Sequence, residues 1–577
     1  MHRFPKTVLL CLLLWWSWGQ NLSMGQSPSF PLNHWVYNFL ERMETKGLLT
    51  MVLNGTKPLT RREIAQYVAE LLQNPKKLAR LNKVEKEQVQ FLKLEFREEL
   101  LELGIEVKTT ADRQLQRLCH SRWLNPIIPK LLFKNDRNLV SIHHEYLDLY
   151  LDPVIYRHVR IGHVDSLSHT ERLYRDTHGI VLWGRLGKFV QFFFDFRDTQ
   201  EWGTQRYPVV ENYSLERLGY VKAKGSRLDY DETQAGLVFG HKFWQITLGK
   251  ERSCWGPGYH GNLALSDWAT SYDLCKLQIL LRRLKFTAFT AFIRQYPPIV
   301  EIEYETDSHI RRVLSHKYLA AHRLEFSPLQ GLELGIHETL IYGDRGLELA
   351  YVNPLNFYWS AEHYLGDQDN STMGADFELT RLPNFKIYGE LFLDDFSVGR
   401  KRDWHGNKWG LLGGIYVVDI FSIPNLDLRF EAAKLRPYVY THRYAINQYK
   451  HFTTTLGHRM GPNSVDYFIE LQYRLSKAFL VRTHYEYWKH GANPPDRNVG
   501  GDINLPWRKQ DAKYQKSLDG EIERRQSWTV DLSYELLRNL YLQVNCGYRL
   551  SKNVLLPDNN RGNLTQTEWL IALAWNF

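Results

Sequence analysis

The chain has 577 residues, a formal net charge of +9 and a mean hydropathy of −0.42. No stretch approaches the 18 uninterrupted apolar residues of a transmembrane helix, so the sequence excludes that class of membrane protein. Aromatic residues nevertheless reach 14%. Barrel strands alternate lipid-facing apolar with lumen-facing polar residues and carry aromatic girdles, which reconciles low hydropathy with high aromatic content.

The first 25 residues are typical of a secretory signal peptide. Arg3 and Lys6 form a basic n-region, residues 8–16 form an apolar h-region, and two Ser-x-Gly triplets follow as cleavage sites. Cys11 lies inside the h-region rather than after a small residue, which argues against a lipid anchor. We therefore expect residues 1–25 to be removed on export.

The expected mature chain keeps four cysteines without a CxxC pair: Cys119, Cys254, Cys275 and Cys546. This pattern predicts neither a zinc site nor a disulfide framework, and it leaves one disulfide open. The excess of Lys and Arg suits an anionic partner. For an exported protein we expect anionic polysaccharide or lipopolysaccharide rather than nucleic acid.

Residues 26–105 predict a helical periplasmic domain. A capping box opens a helix over residues 60–73, and a second amphipathic helix covers residues 82–103, with Gly104 as its C-cap. Residues 106–137 are basic and irregular, and we interpret them as a linker or a plug-like crossing.

Residues 138–577 switch to a hydrophobic period of two. Two hairpins, at 469–487 and 529–549, alternate apolar side chains with charged ones, which suits a water-filled lumen. At about 24 residues per strand and connection, this region predicts an all-β transmembrane β-barrel of about 18 antiparallel strands. Cys546 falls on the apolar face and is expected to face lipid.

Four long polar segments are predicted as loops outside the membrane: 199–233, 297–317, 436–464 and 489–526. The last strand places Trp569, Ile571, Leu573 and Trp575 on one face and ends at Phe577. A terminal aromatic residue on such a strand resembles the C-terminal signal of outer-membrane barrels. It implies contact with the barrel-insertion machinery and localisation in the outer membrane.

Residues 256–261, GPGYHG, match the G-x-G-x-x-G pattern of a dinucleotide-binding turn. That turn opens a helix and is followed by an acidic residue about 20 positions later. Here the next element, residues 276–280, resembles a strand, and Pro297-Pro298 interrupts the region where a βαβ unit would continue. We therefore expect no nucleotide cofactor.

Several short sequence motifs occur one after another between about residues 240 and 500. They are Trp255–Gly261 with Leu263, Leu265 and Ser266; His322–Glu325 with Gly335 and Glu338; Tyr351–Pro354; Tyr388–Leu391 with Asp394 and Asp395; and Leu456–His458 with Gly461–Asn463. Together they resemble the Wzi-type capsule assembly family. The resemblance implies an outer-membrane barrel with a periplasmic helical part that holds capsular or exopolysaccharide at the cell surface without catalysis.

The glycine-rich turn carries aromatic side chains, and aromatic faces stack on sugar rings. It therefore supplies most of the candidate sugar-binding residues. The candidates are Trp255, Tyr259, His260 and Asn353. In an alternative that stays open, the glycines only allow a kink in the wall or close packing of the helical part. These glycines are Gly256, Gly258 and Gly261.

In the helical part, residues 30–35, 47–49 and 58–65 resemble a single S-layer-homology repeat, a type that binds cell-wall polymers. The resemblance implies a contact with peptidoglycan. The candidate residues are Trp35, Thr60, Arg61 and Glu63. Because Thr60 and Glu63 also form the capping box, a purely structural role stays open.

No catalytic constellation is evident, since the sequence has neither G-x-S-x-G nor H-E-x-x-H. Asp394 and Asp395 are adjacent on a strand and point to opposite faces, and we read His484 and His490 as lumen or rim residues rather than metal ligands. We expect a non-catalytic polysaccharide-binding barrel without metal. The alternatives are a porin-like channel tethered to the cell wall by the repeat, and a barrel enzyme acting on lipid or lipopolysaccharide.

Overall fold

The computed structural model describes residues 27–107, 137–164, 169–187, 189–204, 213–214, 217–225, 227–241, 243–306, 309–556 and 559–576. The predicted signal peptide, most of segment 106–137, Cys119 and Phe577 lie outside these residues. Within the described ranges, no helix has the length and apolar character needed to cross a membrane.

Five helices precede the barrel in the described residues: α1 (Val36–Thr45), α2 (Arg61–Leu72), α3 (Pro75–Ala79), α4 (Lys83–Glu95) and α5 (Arg97–Glu102). The predicted capping box is confirmed, because the Glu63 backbone N–H donates to Thr60 Oγ1 at 3.1 Å and the Thr60 N–H donates to the Glu63 carboxylate at 2.7 Å. A single helix over 82–103 is wrong. The fully buried Phe96 leaves the helical backbone conformation and separates α4 from α5.

Eighteen antiparallel strands close into a barrel, which confirms the predicted fold. The strands are β1 (Leu147–Val164), β2 (His169–Leu186), β3 (Val190–Gly203), β4 (Arg227–His241), β5 (Trp244–Glu251), β6 (Tyr272–Leu281), β7 (Leu284–Ile293), β8 (Lys317–Leu329), β9 (Leu332–Gly343), β10 (Asn370–Leu382), β11 (Phe385–Asp395), β12 (Lys408–Val417), β13 (Leu426–Leu435), β14 (Ser464–Arg474), β15 (Phe479–Ala492), β16 (Glu521–Leu537), β17 (Leu540–Leu555) and β18 (Arg561–Trp575). Neighbours in the chain pair in turn, and β18 pairs with β1 to complete the ring. Closure removes the unpaired sheet edges that lipid would not tolerate.

The register places alternate side chains on opposite sides of the wall. Trp569 and Ile571 lie outside with 56% and 57% of their surface exposed, whereas Ala572 and Ala574 are buried inside. Cys546 is the cross-strand partner of Trp569, so it lies on the exterior face as predicted.

Short turns lie at one end of the barrel and long connections at the other. Helices α1–α5 dock at the short-turn end, where Asn384 N–H donates to the Thr45 carbonyl at 2.8 Å and Arg538 pairs with Glu95 at 2.7 Å. Short turns of outer-membrane barrels face the periplasm. The helices are therefore on the periplasmic side, and the long connections open to the outside.

Two of the long connections fold into the barrel instead of standing outside. We call residues 252–271 the first lumen loop and residues 436–463 the second lumen loop. They meet where Tyr440 and Tyr449 donate hydrogen bonds to the carbonyls of Leu263 and Ala264, at 2.6 and 3.0 Å. The prediction of an outside loop at 436–464 is therefore wrong, because the side chains of Tyr440 and Tyr449 are buried in the lumen.

The largest buried apolar cluster lies inside the barrel, between the lumen loops and the inward faces of strands β6–β13. Phe289, Leu319, Ile341 and Phe392 supply these inward faces. A wholly water-filled lumen is thus a wrong expectation. The polar inward faces that suggested it belong to β14–β18, where charged residues such as Glu470 and Glu486 line the interior.

Candidate functional site

The glycine-rich turn lies inside the barrel, within the first lumen loop. Trp255 is fully buried, and its ring meets the Phe289 ring edge to face at 5.3 Å. The Gly256 N–H donates to the Gly55 carbonyl at 2.8 Å, beside a two-residue ladder between the Thr56–Lys57 segment and the Cys254–Trp255 segment. The turn thus connects the helical part to the lumen.

All three glycines of the turn are packed too closely to carry a side chain. Gly256 has φ +121°, a conformation that other residues rarely adopt. A Cβ atom on Gly258 would clash with the Gly261 carbonyl, and one on Gly261 would clash with His458. This geometry favours the alternative in which the glycines serve close packing.

Tyr259 faces the polar half of the lumen. Its hydroxyl donates to Glu470 at 2.8 Å, and the guanidinium of Arg429 lies 4.0 Å from the centre of its ring. Its backbone N–H donates to Glu431 at 2.8 Å. These contacts hold the Tyr259 ring against the barrel interior rather than presenting it to the outside.

His260 stacks on Phe468 at 4.0 Å between ring centres, and its backbone N–H donates to Glu431 at 3.0 Å. Its side chain keeps 16% of its surface exposed. Burial lowers the pKa of His260, which favours the neutral ring.

His260, Asp466 and Glu486 bring potential ligand atoms within 4.8 Å of one another. Such a set could hold a cation, but the guanidinium of Arg459 contacts both His260 and Glu486. Arg459 thereby supplies a positive charge at Glu486. We interpret the group as an ion-pair cluster that fixes the turn to strands β14 and β15.

The cell-wall candidates are engaged in contacts within the helical part and, for Glu63, with the barrel wall. Arg61 is buried between Glu95 and Glu99, at 3.2 and 2.6 Å. Glu63 pairs with Lys285 of the barrel wall at 2.7 Å. Thr60 is buried as the cap of α2, and Trp35 is half-buried with its ring 5.4 Å from that of Phe91. None of these four residues forms an open binding surface in the structure.

Asn353 lies on a different side of the barrel wall from the other sugar-binding candidates. It follows a short helix in the connection between β9 and β10, where its side-chain oxygen accepts from the Leu355 N–H at 3.2 Å. That connection packs on the exterior of the wall, whereas Trp255, Tyr259 and His260 are in the lumen. The structure therefore does not bring the four candidates together.

The other ionisable residues named from the sequence lie on the strands. The Asp394 side chain is buried with 1% of its surface exposed and the Asp395 side chain is 61% exposed, which confirms that they point to opposite faces. His490 contacts Glu523 at 3.0 Å and the Gly501 carbonyl at 2.8 Å, and His484 lies 3.7 Å from Asp531.

An aromatic cluster at the outer end was missed by sequence reasoning. His405 stacks on Trp507 at 3.8 Å with the rings within 8° of parallel, and Trp404 forms a β-bridge with Tyr514. These four residues, here called the outer-mouth cluster, come from the connections 396–407 and 493–520. Neither connection has a periodic pattern, so the only available signal was the proximity of aromatic and basic residues in each.

Cations surround the outer-mouth cluster. Arg400 lies 5.6 Å from the Trp404 ring, and Lys401 lies 5.6 Å from the Tyr514 ring, which is 50% exposed. The two connections together hold eight basic and five acidic residues. The outer mouth therefore combines flat aromatic faces with a net positive charge.

These features define a class of protein: an 18-stranded outer-membrane barrel whose lumen is occupied by its own loops and whose periplasmic end is bound by helices. A family model described as "Capsule assembly protein Wzi" matches residues 186–566, more than half of the chain. The chain belongs to this capsule assembly family.

Among solved structures, the fold is similar to Wzi of Escherichia coli, which is described as an outer-membrane protein involved in group 1 capsule assembly and a carbohydrate-binding β-barrel. The identity is 14%, the match covers 95% of this chain and 99% of that one, and the TM-score is 0.55. Acinetobacter baumannii OccAB4 matches at 10% identity over 75% of this chain and 98% of its own, with a TM-score of 0.40. Pseudomonas aeruginosa OccK2 matches at 6% identity over 74% of this chain and 97% of its own, with a TM-score of 0.41. A comparison with curated proteins gave no match.

Proposed function

We propose that the outer mouth of this barrel binds a surface polysaccharide and helps to attach or assemble a capsule or exopolysaccharide layer, without catalysing a reaction. The observation that carries the proposal is the stacked His405–Trp507 pair with its surrounding cations at the outer end. Membership of the capsule assembly family supports it, as does the carbohydrate binding described for the Escherichia coli protein of the same fold.

The chemistry of the outer mouth suits an acidic polysaccharide. Ring faces of Trp507 and Tyr514 offer apolar surface to the C–H face of a sugar, while Arg and Lys side chains bind uronate carboxylates by charge-assisted hydrogen bonds. Clustered positive charge also raises the local concentration of an anionic polymer near the mouth.

The family match supports this function over a porin-like channel tethered to the cell wall. In the repeat-like segment that would form the tether, Thr60, Arg61 and Glu63 are buried against other residues of this chain and offer no accessible binding surface. Contacts with peptidoglycan, with lipopolysaccharide and, through Phe577, with the insertion machinery stay predictions.

A deletion strain complemented with variants tests the proposal. The double variant His405→Ala with Trp507→Ala removes the stacked pair. We expect normal total polysaccharide, with a several-fold larger fraction released into the medium. The matched control is Tyr304→Ala, which removes an aromatic residue 52% exposed in a different outer connection.

Purified protein provides the second measurement. We expect the double variant to bind the capsular polysaccharide at least tenfold more weakly than the wild type, a loss of about 1.4 kcal/mol or more. Unchanged binding and unchanged retention would show that the outer-mouth cluster is not the sugar site.

A further inference from the structure

The connection between β9 and β10 folds down over the exterior of the barrel. It contains α6 (Leu349–Val352) and α7 (Tyr358–Leu365), and we call residues 344–369 the exterior segment. Tyr351, Tyr358 and Ala361 of this segment form a buried cluster with the wall residues Tyr318, Ala320, Leu340 and Tyr342. It therefore covers strands β8 and β9.

The register shows that these wall residues point outward. Ala320 is the cross-strand partner of Leu340, whereas their chain neighbours Leu319 and Ile341 belong to the buried cluster inside the lumen. Because side chains alternate across a strand, the residues under α6 and α7 lie on the membrane side of the wall.

Two ionisable residues lie on this exterior face, beneath α7. The His322 ring nitrogen is 2.9 Å from the Glu338 carboxylate, and the Tyr358 N–H donates to that carboxylate at 3.1 Å. The Tyr358 ring covers His322 at 4.3 Å between ring centres. The remaining exterior positions of β9 are apolar: Leu332, Leu334, Ile336, Leu340 and Tyr342.

The position of His322 along β8 places it below the outer edge of the barrel. It lies five residues from the strand's outer end at Lys317, about 17 Å along an extended strand and about 13 Å along the axis of a tilted barrel. The apolar band of an outer-membrane barrel is about 25 Å tall. A bare charged residue at this depth would face lipid, which destabilises a barrel.

The outer surface of the exterior segment is strongly apolar. Leu349, Leu355 and Tyr364 are 79%, 85% and 91% exposed, and Phe357 and Trp359 are about half exposed. This surface continues into the lipid-facing wall, where Ile336 is 51% exposed. Water would be a poor solvent for so large an apolar face, whereas helices with one such face settle at a membrane interface.

We propose that the exterior segment inserts its Leu355, Phe357 and Tyr364 face among the acyl chains of the outer leaflet, and that α7 shields the His322–Glu338 pair from lipid. The partner is the lipid surface itself. The inference does not depend on sugar binding at the mouth. It also gives a role to Tyr351 and to the turn at Asn353, which position α6 and α7 on the wall.

Site-directed spin labelling of full-length protein in vesicles of phosphatidylcholine and lipid A tests the proposal. A nitroxide is attached at Leu355→Cys in a background in which Cys119, Cys275 and Cys546 are replaced by Ser, while the remaining Cys254 is buried. The lipid control is Ile336→Cys on the exterior wall, and the water control is Lys513→Cys in an exposed outer connection. Collisions with molecular oxygen report lipid, and collisions with a nickel chelate report water.

We expect the oxygen-to-nickel accessibility ratio at Leu355 to lie within about twofold of the ratio at Ile336 and several-fold above that at Lys513. A ratio equal to that of Lys513 would place the segment in water and overturn the proposal. An immobilised label that neither reagent reaches would indicate a protein partner, and would overturn it equally.

Discussion

Trp255 shows that the type of a residue does not reveal its environment in the fold. A tryptophan beside glycines in an exported barrel predicts a sugar platform, but this side chain is fully buried against Phe289 in the lumen. The capping box of Thr60 and Glu63, by contrast, was predicted correctly, because capping depends only on two residues three positions apart in the sequence. Burial of Trp255 depends on strands more than 30 residues away, which no local pattern encodes.

At this scale we predict that Trp255→Ala lowers the free energy of unfolding by about 3–5 kcal/mol, because it leaves a large cavity. Trp507 is only half-buried at the outer mouth, so Trp507→Ala should lower the free energy of unfolding by less than about 1 kcal/mol and weaken polysaccharide binding instead. Denaturant unfolding in detergent and binding by the purified variants check both. If the Trp255→Ala protein were stable but no longer bound sugar, the result would contradict this prediction and would indicate that the sugar-binding site lies at the glycine-rich turn.

At the scale of elements, helix α1 is attached to the barrel by buried charges. Glu41 pairs with Arg429 at 2.7 Å and with Lys386 at 2.9 Å. Burial alone would raise the pKa of Glu41, but these two cations hold it well below its usual range. The amphipathic pattern predicted a helical domain with helices over 60–73 and 82–103. It could not predict which barrel residues the helices contact, because the charges along a helix do not identify the side chains that pair with them.

We predict that Glu41→Gln destabilises the docked helices by about 3–5 kcal/mol, since it leaves the buried Arg429 without its carboxylate and leaves Lys386 with Glu378 alone. Limited trypsin digestion of the folded protein should then cleave residues 36–102 many times faster. Glu106→Gln, which changes an exposed carboxylate of the same region, serves as the control. Equal cleavage of both variants would show that the ion pairs do not hold the helices.

For the whole molecule, the strand count followed from the length of the barrel region and the outward faces followed from period-two patterning, whereas the filled half of the lumen followed from neither. Strands such as β7 carry apolar residues on both faces, Phe289 inward and Phe292 outward, so alternation alone cannot distinguish lipid from a packed interior. The lumen loops also bury histidines: burial lowers the pKa of His442 and of His451 to about 3.

The sign of the pH effect follows from these histidines. Unfolded histidine takes up a proton near pH 6.5, but His442 and His451 stay neutral in the folded lumen, with Lys408 and Lys317 adding repulsion. Their stabilisation is complete above about pH 6.5 and is lost as the pH falls towards 3. We predict that amide exchange in residues 436–463, corrected for intrinsic rates, accelerates between pH 7.5 and 5. The strands β14–β18 serve as the internal control, and a uniform response across the barrel would contradict the prediction.

The ladder between Thr56–Lys57 and Cys254–Trp255 has a mechanical consequence. It joins the periplasmic helices to the first lumen loop, whose Ser266 N–H donates to the Leu456 carbonyl of the second lumen loop at 2.8 Å. The second lumen loop continues this contact outward, because Tyr438 N–H donates to the Gly500 carbonyl at 2.9 Å, in the connection that bears Trp507. A hydrogen-bonded column therefore runs through the barrel from one side of the membrane to the other. Tension on a polymer held at the mouth would be borne by this internal column as well as by the wall, so that the anchor resists being pulled out strand by strand.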